Sequence, residues 1–204
     1  MALATDLLTN DEARDYLSVG VGDSTKTALL DVYVSAVSAL IVEAVGPVVY
    51  GTITETYDGG GSRVWLESHP VQSVIQVVEY DGTAGGTLTA ESNSAKFSSG
   101  FTVNTANGEL LRRNDNATSS FPTGTGNIRV TYVAGRCATT ATVPSRFKVA
   151  AGITLQALWR TQEQSTVAFN EFEVPNANFP RFAMPHAVKG LLADEWRTGH
   201  GIGV

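Results

Sequence analysis

One stretch limits this chain more than any other: Ser24 to Pro47, reading STKTALLDVYVSAVSALIVEAVGP. Asp23, Ser24 and Thr25 suit a helix start, because a short side-chain oxygen accepts the orphan N–H groups of a first turn. Gly46 and Pro47 suit its end: glycine tolerates the left-handed closing residue, and proline cannot continue the hydrogen-bond ladder. Between them, Leu29, Tyr33, Ala36, Val37, Leu40 and Ala44 fall on one helical stripe, and Leu30, Val34, Ile41 and Val45 on a second beside it. Only Lys26, Asp31 and Glu43 carry charge. A helix apolar over so much of its circumference has to be covered on more than one side.

The segments around it read as alternating blocks. Before it, Thr9 and Glu12 form a T-x-x-E capping box, predicting a short helix over about Asn10–Leu17 with Ala13, Tyr16 and Leu17 facing inward. After Pro47 the apolar period changes from 3.6 to 2. Val49–Tyr57, Arg63–Leu66, Val71–Tyr80, Phe97–Asn104, Glu109–Arg113 and Asn127–Val133 read as strands, punctuated by Asp58-Gly59-Gly60-Gly61, Asp81-Gly82 and Asn107-Gly108. The stretches Gly82–Gly86 and Asn114–Gly126 read as turn and loop. The helical period returns at Pro144 and runs through Trp159, and a last helix is predicted over His186–Arg197. Between these two, Phe169, Phe172, Phe179 and Phe182 stand among three prolines, too aromatic for a free linker and too broken for a helix. The expected fold is α+β: helices from both ends of the chain form a small bundle, and an antiparallel β-unit of about six strands is inserted between them. The expected parts are residues 1–47, 48–142 and 143–204.

No catalytic constellation is legible. His69, His186 and His200 are scattered without metal-ligand spacing. Gly59-Gly60-Gly61 lacks the G-K-[ST] ending of a phosphate loop and joins two strands. Asp11, Glu12 and Asp15 lie where a helix dipole favours acid. The lone Cys137 allows no internal disulfide, and its Arg, Thr and Ala neighbours offer it no base. We expect no enzyme and no cofactor. A net charge of −6 argues against a nucleic-acid reader and suits a surface that duplex DNA passes without sticking. The basic doublet Arg112-Arg113 reads as an edge-strand guard before a DNA contact. No apolar run is read as long enough to cross a bilayer, and no secretory leader opens the chain, so a soluble protein of a reducing compartment is expected. Apolar helix faces and an aromatic arm without chemistry point to assembly.

Three parts of the chain, in order, carry a resemblance. They are LLTNDEARDYL with the apolar helix ending in GPVVY; TETYDGGGSRVWLESHPVQSVIQVVEYDG; and VPSRFKVAAGITLQALW paired with MPHAVKGLLADEWR. Together they resemble the head–tail connector (adaptor) proteins of tailed phages, over nearly the whole chain apart from the regions near 87–126 and 162–178. The resemblance implies a structural virion protein, assembled in the host cytoplasm. It implies a dodecameric ring beneath the portal that extends the DNA channel and seats stopper or tail proteins, with no membrane partner. It also implies that the final helix docks on the portal, which here places Leu191, Leu192, Trp196 and Arg197 as anchors. A closed ring needs two different adhesive faces per subunit. The expected contacts with a neighbouring copy are Val34 and Ile41 of the second helical stripe and the aromatic segment Phe169, Phe172, Phe179 and Phe182. A stopper, tail terminator or decoration protein is the nearest alternative, and a glycan-binding β-module a further one.

Overall fold

The computed structural model of the chain describes residues 5–20, 24–92, 94–165 and 184–196. The chain divides into two compact units: Met1–Val49 with Cys137–Val204, and Tyr50–Arg136.

The first unit is helical. Helix α1 (Asn10–Leu17) starts at the expected capping box, in which Thr9 Oγ1 accepts from the Glu12 N–H at 3.3 Å and Glu12 accepts from the Thr9 N–H at 2.9 Å. Helix α2 (Ser24–Val45) stops where Gly46 adopts φ +84° and its N–H donates to the Val42 carbonyl at 2.7 Å. Helix α3 (Ser145–Ser165) packs on both, and α4 (His186–Leu191) packs on α3. The core joins Leu7, Leu8 and Ala13 to Leu30, Val34, Val37 and Ile41 of α2 and to Phe147, Ala151, Leu155 and Trp159 of α3. The Tyr33 and Trp159 rings meet edge to face with centroids 5.7 Å apart, so the start of α2 lies beside the end of α3.

Two expectations change here. The final helix does not run from His186 to Arg197. It ends at Leu191, and a single 3₁₀ turn follows at Ala193–Glu195, consistent with the weak helix propensity of Gly190 near its end. Secondly, Thr27–Val45 is long and apolar enough, by length and composition, to span a bilayer. The same apolar residues that give it that length also supply the unit's core, where Leu30, Val34, Val37, Ile41, Ala44 and Val45 are enclosed.

The second unit is a mixed sheet of eight strands: β1 (Gly51–Tyr57), β2 (Arg63–Trp65), β3 (Val71–Asp81), β4 (Ala84–Ala90), β5 (Gly100–Asn104), β6 (Glu109–Asn114), β7 (Ala117–Thr118) and β8 (Ile128–Ala134). Their order is β1-β8-β3-β4-β5-β6-β2, with β7 on β6. All neighbours are antiparallel except β4 and β5, which pair in parallel through Thr89 and Gly100. The expected count of about six omits β4 and β7. The glycines and threonines of β4 make it read as a turn, and β7 is two residues inside a polar stretch. Inward residues from all parts of the order, including Val64, Val77, Leu88, Phe101, Leu110 and Val130, form one cluster, so the sheet is rolled around its core.

Candidate interaction surfaces

Several ionisable groups of the β-unit are tied to fixed partners. Glu55 accepts hydrogen bonds from the Tyr132 hydroxyl at 2.6 Å, the Ser68 hydroxyl at 3.1 Å, the Glu67 N–H at 3.3 Å and the Tyr57 hydroxyl. Burial, together with the bond to Glu55, pushes the Tyr132 hydroxyl up to about 12, and the Tyr57 hydroxyl rises for the same two reasons. Arg112 and Glu79 form a two-pronged pair, both contacts at 2.9 Å, with each side chain largely buried. Beside them Glu91 is enclosed. Enclosure works against its charge, but the Phe97 N–H and the Arg113 guanidinium outweigh it and hold its carboxyl below the usual range. The doublet Arg112-Arg113 is therefore not an edge guard: β6 lies between β5 and β2, and both guanidiniums answer carboxylates of the same unit. In the helical unit, Glu12 is held below its usual range although burial opposes it, because Lys148 and the Thr9 N–H bond to it. Among the described residues, no group of three or more His, Cys, Asp or Glu is placed to hold a metal ion.

What the molecule does present is apolar surface on rigid elements. Val32 of α2 is 66 % exposed. Ala28, Ala36 and Ala39 are exposed with it, so the side of α2 opposite the core is apolar and open. A cleft of about 220 Å³ continues this face, with Ser35, Ala39 and Val42 of α2 on one wall and Pro47, Val48 and Val49 on another. Buried Asp6 lies in the same cleft and accepts from the Ser35 hydroxyl at 3.0 Å. Val149 of α3 and Leu191 of α4 are each about two-fifths exposed. In the β-unit, Trp65 and Ile75 stand outward on β2 and β3.

The sequence-expected contact residues fare unequally. Val34 and Ile41 are enclosed in the core of their own unit, 1 % and 0 % exposed, and so present no surface to a neighbour. They lie on the side of α2 that α3 covers, and the open side is centred on Val32, which belongs to neither stripe named from the sequence, with Ala36 of the first stripe beside it. Leu192 is likewise fully buried: it follows Val188 by one helical turn, and both point into the helical core. Leu191 is exposed and Trp196 half-buried against that core. Arg197, Phe169, Phe172, Phe179 and Phe182 lie outside the described residues. Sequence reasoning missed Val32. The signal was present, since a helix apolar all round leaves one side over once a core has taken the other.

No protein-family model matches the chain, and no curated protein matches it. Several solved structures share its fold over almost its whole length. A chain in the neck of the empty GTA particle, computed with C6 symmetry, is 19 % identical with a TM-score of 0.61, the match covering 97 % of this chain and 93 % of that one. A chain in the neck of the native GTA particle, computed with C12 symmetry, is 19 % identical with a TM-score of 0.59 and 98 % coverage of both chains. A chain in the virion of the native gene transfer agent (GTA) particle is 21 % identical with a TM-score of 0.60, covering 97 % of this chain and 93 % of that one.

Proposed function

We propose that this chain is a non-enzymatic structural component of the neck of a phage-like particle, working as a ring of copies between capsid and tail. The observation that carries this reading is the end-to-end fold match to chains of particle necks computed with C6 and C12 symmetry. A match of 97–98 % of this chain takes in both the helical and the β-unit, not one portable module. The open apolar face of α2 adds support, since a ring needs adhesive surfaces on each subunit.

In the finer form of the reading, the chain is a head–tail connector, dodecameric, seated beneath the portal. It assembles in the host cytoplasm, extends the DNA channel and receives stopper or tail proteins. Duplex DNA passes it without sequence-specific binding. Leu191, Trp196 and Arg197 are the portal-docking residues left once Leu192 is assigned to the core, and Phe169, Phe172, Phe179 and Phe182 contact the neighbouring copy. The test mixes the purified chain with the portal ring of the same particle and follows mass by native mass spectrometry and shape by negative-stain imaging. A closed ring capping the portal is expected. A chain that stays monomeric at high concentration and ignores the portal overturns the reading.

One observation favours a second reading. Trp65, 54 % exposed on strand β2, is the kind of outward aromatic that a glycan-binding β-module displays. A glycan array separates the two, with no binding expected for a neck component.

A further inference from the structure

Resting on the ring reading above, we propose that the free edge of β1 in one copy takes up residues 166–174 of the next copy as an added strand. The direction of the β1 backbone groups follows from β8 beside it. At the two ends of β8, the Asn127 carbonyl accepts from the Tyr80 N–H at 2.8 Å and the Gly135 N–H donates to the Pro70 carbonyl at 3.0 Å. Odd-numbered residues of this stretch therefore bond toward β3. The even-numbered Ile128, Val130, Tyr132 and Ala134 bond toward β1, where they face Tyr57, Glu55, Ile53 and Gly51. The N–H and C=O groups of Thr52, Thr54 and Thr56 thus point away from the sheet, and among the described residues they meet no backbone partner. All three threonines are exposed.

An edge of this kind is normally blunted by a lysine, a proline, a bulge or short length. β1 has none of these: seven residues pair with β8 in unbroken register, and its one charge, Glu55, is held on the inner side by Tyr132 and Ser68. Free N–H and C=O pairs that repeat at about 7 Å are matched by another extended backbone, so the edge selects a strand. Residues 166–174, TVAFNEFEV, suit that place. They lie outside the described residues, between the end of α3 at Ser165 and Pro175. Val167, Phe169, Phe172 and Val174 favour a strand, no glycine or proline interrupts it, and Pro175 stops the ladder. In a strand both acids, Glu171 and Glu173, fall on one face. Set beside Thr52, Thr54 and Thr56, that face keeps them on the opposite side of the sheet from Glu55. A donor segment and an acceptor edge are unlike surfaces on one chain, as a ring contact requires, whereas β1 against β1 would close at two copies.

The experiment follows backbone amide exchange over residues 50–58 by mass spectrometry in the full chain, alone and assembled on the portal ring of the same particle. Assembly is expected to slow the Thr52, Thr54 and Thr56 amides by about tenfold or more. A synthetic peptide of residues 166–175 added to the lone chain is expected to slow the same amides, and a scrambled peptide to leave them unchanged. Thr54→Pro removes an outward N–H without touching the bonds to β8. Its circular dichroism and melting should match the wild type, while ring formation weakens by about tenfold or more. Rings in which these amides still exchange freely, or a folded Thr54→Pro chain that assembles normally, overturn the strand addition and leave the ring reading standing. Amides slowed in the ring but not by the peptide overturn the choice of donor segment. A wild type that never assembles with the portal overturns both readings.

Discussion

At the scale of single residues, the β-unit depends on a few polar clamps. Asn127 is one. Its carbonyl oxygen accepts from the Gly59 N–H at 2.8 Å, and its amide donates to the carbonyls of Pro122 at 2.7 Å and Tyr80 at 3.2 Å. One side chain thus fixes the glycine turn, the loop before β8 and the end of β3. Asn127→Ala removes all three bonds, although the Gly59 N–H keeps the Gly124 carbonyl at 2.9 Å, and we expect it to lower stability by about 1–3 kcal/mol in urea melts. Gly59 is irreplaceable for a different reason. A Cβ there would sit 1.9 Å from the Pro122 carbonyl oxygen, so Gly59→Ala must displace backbone and should cost a comparable amount. Tyr132 sets the alkaline limit. Its hydroxyl is raised to about 12 in the folded chain, so the unfolded state gives up its proton first. Stability from this group is intact below about pH 10 and is lost as pH climbs from there toward 12. Tyr132→Phe should flatten that slope in melts followed across pH 9–12. It should also cost about 1 kcal/mol at neutral pH through the lost bonds to Glu55 and the Ser68 N–H.

At the scale of elements, α2 separates what a sequence can tell from what it cannot. Its limits were legible, because Gly46 at φ +84° does what a terminating glycine does and the capping box of α1 formed as written. Which side of α2 would be core was not legible. Residues of both apolar stripes are enclosed, and which side was left open was decided by where α3 lies, a contact more than a hundred residues away in sequence. The same reason hid β4, whose AGGTLTA has turn chemistry and becomes a strand only because β3 and β5 flank it. The two sides of α2 can be told apart by mutation. Ile41→Ala removes a fully buried side chain and is expected to cost about 2–5 kcal/mol. Val32→Ala, on the open side, should stay within about 0.5 kcal/mol in the isolated chain. If Val32→Ala proved as costly as Ile41→Ala, that side would be covered within the subunit and no longer free for a neighbour.

At the scale of the whole molecule, the β-unit is an insertion whose two ends leave the helical unit side by side. Val49 and Cys137 form a parallel bridge, and the Cys137 N–H donates to the Val48 carbonyl at 2.9 Å. Within the β-unit the start of the first strand also meets the end of the last, since Gly51 of β1 is paired with Ala134 of β8. Each unit owns a separate core: Leu7 to Leu192 in one, Val64 to Ala134 in the other. Bridged backbones lie about 5 Å apart, so two or three glycines reach from Val49 to Cys137 without strain. We therefore expect that replacing 50–136 with such a linker leaves a helical protein with one cooperative melt, because no residue of its core is removed. The excised 50–136 should fold alone with a β-type circular dichroism spectrum, its Glu55 and Arg112 clusters being wholly internal. A helical unit that loses its cooperative melt, or melts only with the β-unit present, would show that the two cores are not independent. The insertion would then be part of what holds the helical unit in shape.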